Sequence, residues 1–353
     1  MVLAGETLYF LSSFHGRESL FRRSLSGKDG AALVRVGETA IHSFSVDQAG
    51  RAAYLMGSPE RPAELFFEGR QLTDCNRWLA EYDPPQVEEL WVPSRDGKAQ
   101  IQTWLVHPAG QEPGRLYPAV LYVRGGPTLT YNADYWHEFH AIASQGIAVV
   151  YANPRGSLGY GPEFSKGSYA WGETAKEDLL AALDGCMERG FIDPERVGVC
   201  GGSYGGYMTN RLIVETDRFA AAVSQRSMFN PVTFYGCADG GYISSRRNPD
   251  EVHMLEYLKG KLEGAFVCSI DGVRTPLLIL HGFRDHCCSF EQAEQLFTAM
   301  RERNPQTPVR LVMFPEENHE INRKGKLYNQ IRHLEELVNW LKKYLGEGGG
   351  THD

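Results

Sequence analysis

The chain has 353 residues, 42% hydrophobic and 23% charged, which is the balance of a soluble globular protein long enough for one large domain and part of another. A net charge of -8 gives no electrostatic reason to expect nucleic acid, no apolar run approaches a membrane span, and the start Met1-Val-Leu-Ala-Gly-Glu6 lacks the basic region and unbroken apolar stretch of a secretory signal. Seven cysteines without C-x-x-C spacing fit reduced thiols in a cytoplasmic protein better than a disulfide framework or a zinc site; Cys287-Cys288 is the one adjacent pair.

From the N-terminus, short strands punctuated by Gly, Pro, Asp and Ser are predicted at Thr7–Ser12, Ser19–Ser24, Ala32–Val36, His42–Val46, Arg51–Met56 and Glu64–Glu68. They carry a repeat: Tyr54 follows Tyr9 by 45 positions, and Leu20 with Leu65 and Phe21 with Phe66 repeat the offset. A period of that size with about four strands per unit is the signature of β-propeller blades. Two blades cannot close a ring, so this partial, about two-blade propeller segment means that the chain either begins partway through a propeller or keeps a remnant whose exposed edges must be covered.

Trp78–Pro85 reads as a linker, and the pattern then changes. Two strands, Glu89–Val92 and Gln100–His107, flank the turn at Ser94–Gly97. Apolar runs follow at Ala119–Val123, Ala148–Ala152, Val197–Cys200, Ala220–Ser224, Leu277–Leu280 and Val309–Phe314, the composition of parallel strands covered on both faces. Helices are predicted at Tyr135–Ser144, Ala175–Arg189, Gly206–Glu215, Phe290–Arg303 and Asn329–Leu345, the last burying Ile331, Leu334, Val338, Leu341 and Leu345. This alternation predicts a doubly wound, mostly parallel α/β sheet with its reactive groups at the carboxyl ends of the strands. The expected domains are residues 1–85, a partial propeller and linker; 86–345, an α/β-hydrolase domain; and 346–353, a disordered tail.

The chemistry centres on Gly201-Gly-Ser203-Tyr-Gly205, which lies between a strand and a helix, as a G-x-S-x-G nucleophile elbow requires. Small residues two before and two after Ser203 relieve collisions across the tight turn, and the following helix aims its positive end at the hydroxyl. Downstream, Asp285 and His319 sit just past the ends of successive strands, in the order nucleophile, acid, base. His319 would take the proton of Ser203, and Asp285 would orient the imidazole; His281, His286, Glu316, Glu317 and Glu320 stand nearby as competitors. Oxyanion donors are expected from the backbone N–H of Tyr204 and from the loop Val123-Arg-Gly-Gly-Pro127. His137-Glu-Phe-His140 has the wrong spacing for a zinc helix and its histidines read as solvent-facing, while Gly156-Ser-Leu-Gly159 lacks the Gly-Lys-Ser/Thr of a phosphate loop.

Asn153–Gly161, Trp171-Gly172, Ile192–Arg196, Gly201–Asn210, Ser224–Ser227 and Pro315–Glu320 together resemble the prolyl oligopeptidase family of serine peptidases, closest to its acylaminoacyl-peptidase-like branch. The resemblance covers residues 86–345. It implies hydrolysis of short peptides through an acyl-enzyme, with Ser203, Asp285 and His319 as the triad, no metal and no organic cofactor. Three departures stand out. Arg124 replaces the histidine or tyrosine usual at that position, which moves the second oxyanion donor to the backbone of Gly126, with Gly125 next; Arg124 either adds a charged donor to the substrate site or pairs with an acidic neighbour. Cys287 stands where relatives often carry a substrate-binding arginine, and most of the propeller is missing. Arg155 reads as a loop anchor. A carboxylesterase using the same triad, or an inactive binding module, stays open beside the peptidase, as does assembly into a homo-oligomer; neither nucleic acid nor membrane is expected as a partner.

Overall fold

The computed structural model describes residues 1–27, 30–35, 39–166, 173–240 and 269–346. The Trp171-Gly172 motif and residues 347–353 of the expected tail lie outside the described residues. Two four-stranded antiparallel sheets come first. One holds β1 (Val2–Ala4), β2 (Thr7–Phe14), β3 (Arg17–Ser24) and β4 (Ala32–Arg35); the other holds β5 (Ala40–Val46), β6 (Ala52–Ser58), β7 (Arg61–Phe67) and β8 (Arg70–Gln71). The 45-residue repeat falls on matching strands, Tyr9 and Tyr54 on the second of each sheet and Leu20 and Leu65 on the third. Tyr9, Leu20, Ile41, Ala52 and Tyr54 share one buried cluster with Phe66 packed against it, so four of the six repeated positions contribute to this core. β1 and β8 escaped the sequence reading because strands of three and two residues are too short to show an alternating pattern.

An eight-stranded sheet follows, built from β9 (Val87–Pro93), β10 (Gln100–Val106), β11 (Tyr117–Val123), β12 (Ala148–Asn153), β13 (Ile192–Gly202), β14 (Ala221–Gln225), β15 (Leu277–Gly282) and β16 (Val309–Phe314). Its order is β16-β15-β14-β13-β11-β12-β10-β9. β9 and β10 pair antiparallel, whereas β11 through β16 run parallel. Every residue of β11, β12, β14 and β15 is buried, which is why these strands appear in the sequence as continuous apolar runs. The helices are α1 (His137–Ala143), α2 (Glu173–Met187), α3 (Tyr204–Glu215), α4 (Pro231–Cys237), α5 (Glu291–Arg303), α6 (Ile321–Lys324) and α7 (Leu327–Leu345). This is the architecture of an α/β hydrolase. Among the described residues no helix is long and apolar enough to cross a membrane.

By contact the chain divides into two units, one of Met1–Gln111, Thr128–Ser144 and Ala152–Ala182, the other of Glu112–Pro127, Gln145–Tyr151 and the chain from Leu183 on. The first unit contains a buried ion network. Arg155 donates from Nε and Nη2 to the two carboxylate oxygens of Asp178 at 2.9 and 2.7 Å, and from Nη1 to Asp96 at 2.7 Å. The Asp178 side chain is fully buried. Arg155 thus ties the loop after β12 to α2 and to the turn that Asp96 forms with Ser94. Asp178→Asn should cost about 3–5 kcal/mol in urea unfolding, since it leaves the guanidinium buried with half its charge partner gone. A loss below about 1 kcal/mol would mean that Asp96 and water compensate Arg155 by themselves.

Two expectations need correction. His140 does not face solvent: it is buried, its Nε2 lies 2.8 Å from the carbonyl oxygen of Pro59, and its ring stacks on Tyr135 at 4.4 Å. Helix α7 buries His333, Leu337, Trp340, Leu341 and Leu345, and leaves Ile331 exposed. Positions two apart on a helix point about 200° apart, so a stripe running through His333 turns Ile331 outward. Counting only apolar residues hid that stripe, because a histidine and the ion-paired Glu336 lie on it.

Candidate active site

Strand β13 ends at Gly202 and α3 begins at Tyr204, which leaves Ser203 alone to make the turn. Its backbone sits at φ 60° and ψ -121°, a region that non-glycine residues avoid at a cost of about 1–3 kcal/mol. The surroundings enforce it. A Cβ on Gly201 would come within 2.5 Å of the Val123 carbonyl oxygen, and one on Gly205 would collide with that same oxygen. The Ser203 N–H donates to Gln225 O at 3.0 Å, fixing the elbow against β14. The first turn of α3 then directs its N–H groups and partial positive charge toward the serine.

The loop after β11 crosses the elbow: a Cβ on Gly125 would lie 3.5 Å from Gly202 O and 3.7 Å from the Ser203 Cβ. Gly126, at φ 136°, occupies the left-handed region that favours glycine. Arg124 is buried and turns back on its own loop, donating from Nη1 to Gly125 O at 2.9 Å and to Pro127 O. Tyr204, the first residue of α3, has a buried ring; burial raises its phenol well above the ordinary value, and the charge of Arg124 offsets only part of that.

Asp285 and His319 come together although 34 positions separate them, with His319 Nδ1 donating to Asp285 Oδ2 at 2.7 Å. Two backbone bonds between their loops hold them, Phe283 N–H to Phe314 O at 3.0 Å and Arg284 N–H to Glu317 O at 2.8 Å. Asp285 Oδ1 accepts the N–H groups of Cys287 and Cys288, both at 2.9 Å. Burial alone would raise this carboxyl, but hydrogen bonds from His281 and His319 hold it well below the usual carboxylate range. It is therefore an anion throughout the neutral range. Burial lowers the His319 imidazole, yet its hydrogen bonds to Asp285 and Cys287 outweigh that and raise it.

Of the competing groups, His281 also reaches Asp285, and the glutamates have partners of their own. His281 is fully buried, with Nε2 at 2.7 Å from Cys288 O and 3.4 Å from Asp285 Oδ2. Glu317 accepts from the Lys326 N–H and from Asn329; Glu316 pairs with Lys326, and Glu320 with Arg323. Sequence reasoning missed Cys288, whose backbone N–H, like that of Cys287, is held by Asp285 Oδ1 at 2.9 Å. It also gave Cys287 only a substrate role, whereas the Cys287 thiol is drawn down by hydrogen bonds to Cys288 first and His319 second. The signal available was Asp-x-Cys-Cys, in which an aspartate accepts the N–H groups two and three residues on and so turns both cysteines back toward itself.

A family model described as the prolyl oligopeptidase family matches residues 133–348, well over half of the chain. The chain belongs to the prolyl oligopeptidase family. Among the relatives within and around that family, peptidase YuxL of Bacillus subtilis is 37% identical over 349 residues, covering 96% of this chain and 52% of its own length. Dipeptidyl-peptidase 5 of Arthroderma otae is 26% identical over 378 residues, covering 97% of this chain and 48% of itself. The prolyl oligopeptidase family member thus spans about half the length of the curated relatives it matches. An acylaminoacyl peptidase of Pyrococcus horikoshii superposes with a TM-score of 0.89 at 24% identity, covering 99% of this chain and 56% of that one, which speaks for the fold.

Proposed function

We propose that this chain is a serine peptidase that hydrolyses short peptides, of acylaminoacyl-peptidase or oligopeptidase type, through an acyl-enzyme on Ser203. The observation that carries the reading is the 2.7 Å bond between His319 Nδ1 and Asp285, in the same unit as a serine on a strained strand-to-helix turn. His319 acts as general base: it accepts the Ser203 proton as Oγ attacks the substrate carbonyl, then gives it to the departing amine. Asp285 keeps Nδ1 protonated and stabilises the imidazolium without taking the proton itself. The tetrahedral oxyanion is met by the backbone N–H groups of Tyr204 and Gly126, each such donor supplying about 2.7–4 kcal/mol of barrier lowering. Arg124, by holding the carbonyls of Gly125 and Pro127, braces the loop that presents Gly126.

In this reading residues 86–345 form the catalytic domain, and the two sheets of residues 1–85 are two blades of a propeller. The curated relatives are about twice as long as the stretch of them that this chain matches. The cysteine pattern supports a cytoplasmic location. The test is a matched panel of N-acetylated and free-amine aminoacyl amides, dipeptidyl amides and a nitrophenyl ester. Turnover of the acetylated amides is the expected result. Free-amine dipeptides as the preferred substrates would point instead to a dipeptidyl peptidase, ester hydrolysis alone to a carboxylesterase, and no turnover or fluorophosphonate labelling to a binding module.

A further inference from the structure

Cys287 Sγ, Cys288 Sγ and a ring nitrogen of His319 all lie within 4.8 Å of one another. We propose that these three atoms form a site for a thiophilic divalent cation of the Zn2+ class, and that its occupation blocks hydrolysis by taking the imidazole of His319 out of use. The blocking, though not the binding, rests on the role of His319 proposed above.

Tetrahedral zinc with sulfur at about 2.3 Å and nitrogen at about 2.0–2.1 Å needs its donors about 3.6–3.8 Å apart, so the cluster closes by about 1 Å on binding. Side-chain rotation supplies that much. The surrounding bonds favour the same arrangement, because one carboxylate orients all three ligand residues. Asp285 takes the N–H of His319 Nδ1 at 2.7 Å, which fixes the tautomer and leaves the Nε2 lone pair for a metal. Its other oxygen holds the backbone N–H groups of both Cys287 and Cys288 at 2.9 Å. His281 adds a fourth restraint at Cys288 O. Cys287 is only half-buried and His319 is partly open, so a cation can reach the cluster. Two sulfurs and an imidazole suit Zn2+ or Cd2+ and offer nothing to Mg2+ or Ca2+, which take oxygen ligands. The step is a simple exchange: each thiol releases one proton, two sulfur pairs and one nitrogen pair bind the metal, and no electron is transferred. Three protein ligands leave a fourth position for water.

The test uses the full chain kept reduced with a phosphine and dialysed against Zn2+ alone, with Co2+ as a second probe whose thiolate charge-transfer band reports sulfur ligation. One equivalent of Zn2+ per chain and a sulfur-to-cobalt band are expected. Cys287→Ser and Cys288→Ala should each weaken binding by at least about 100-fold, and Asp285→Asn by about 10–100-fold. Ser203→Ala and the exposed-thiol controls Cys75→Ser and Cys237→Ser should bind as the wild type does. Two variants at the pair guard against misfolding of either one, checked by their thermal transitions. No stoichiometric binding, binding indifferent to both pair variants, or binding lost in the controls overturns the site. Inhibition of turnover at the same Zn2+ concentration, reversed by a chelator, is expected; stoichiometric binding without inhibition overturns the blocking. Should the wild-type chain hydrolyse nothing, dialysis and the cobalt band still decide the site.

Discussion

Ser203→Ala is expected to lower kcat by about 10^4- to 10^6-fold on peptide and ester substrates alike, with KM and the thermal transition almost unchanged. The substitution removes only Oγ. Alanine keeps the Cβ and so inherits the same φ of 60°, which means that the elbow, the first turn of α3 and the bond from the residue 203 N–H to Gln225 O all survive. Loss of the nucleophile therefore appears in the chemical step, while the oxyanion donors and substrate contacts leave a small residual rate. Labelling by a fluorophosphonate gives a second readout: one adduct per chain in the wild type, none in the variant. Retention of more than about a tenth of the activity would refute Ser203 as nucleophile, since a lost nucleophile costs far more than that. The thiol of Cys287, which clusters with Cys288 and a ring nitrogen of His319, would then be the group to replace next.

The second large effect concerns stability in acid. His333 lies on the buried face of α7, next to Phe314, and among the described residues its Nε2 has no hydrogen-bond partner. Burial and then the charge of Arg226 push it down from 6.5 to about 3. Arg226 is itself buried beneath the elbow, where a Cβ on Gly202 would lie 2.7 Å from its Cζ. The folded value lies below the unfolded one, so the unfolded chain binds the extra proton between those two values, and stability is lost as pH falls through that window. Between about pH 7 and about pH 4.5 this one group removes about 2.5 kcal/mol. His333→Phe, which keeps an aromatic ring in the site, should flatten the change in urea-unfolding free energy over that range by a similar amount. An unchanged slope in the variant would show that carboxylates, not His333, set the acid limit.

The turn at Ser203 and the strand-end positions of Asp285 and His319 were legible because each obeys a local rule. Gly201 and Gly205 flank Ser203 at the spacing a tight turn demands, and Asp285 and His319 each follow an apolar run that could only be a buried strand. The inner strands of the eight-stranded sheet were legible for the same reason, β11, β12, β14 and β15 being written as largely apolar stretches. What stayed hidden depends on contacts between distant segments. That Arg124 would fold back onto the carbonyls of its own loop, that Glu317 would turn toward Lys326 and Asn329, and that both cysteines would converge on His319 follows from how loops meet, which no periodicity encodes. The α7 face was misread because a buried histidine looks polar in a sequence, while its neutral form packs as an aromatic.

Besides the side-chain bond between Asp285 and His319 itself, the loops bearing these two residues are joined by the Phe283 and Arg284 N–H groups. Any amino acid but proline supplies such a donor. Combinatorial redesign can therefore vary Phe283, whose ring is 49% exposed, and Arg284 without dislodging the acid from the base, provided proline is left out of the codon set. The backbone joint that brings Asp285 to His319 is indifferent to the residues displayed on it, so the surface at this edge can be changed while that pair stays in place.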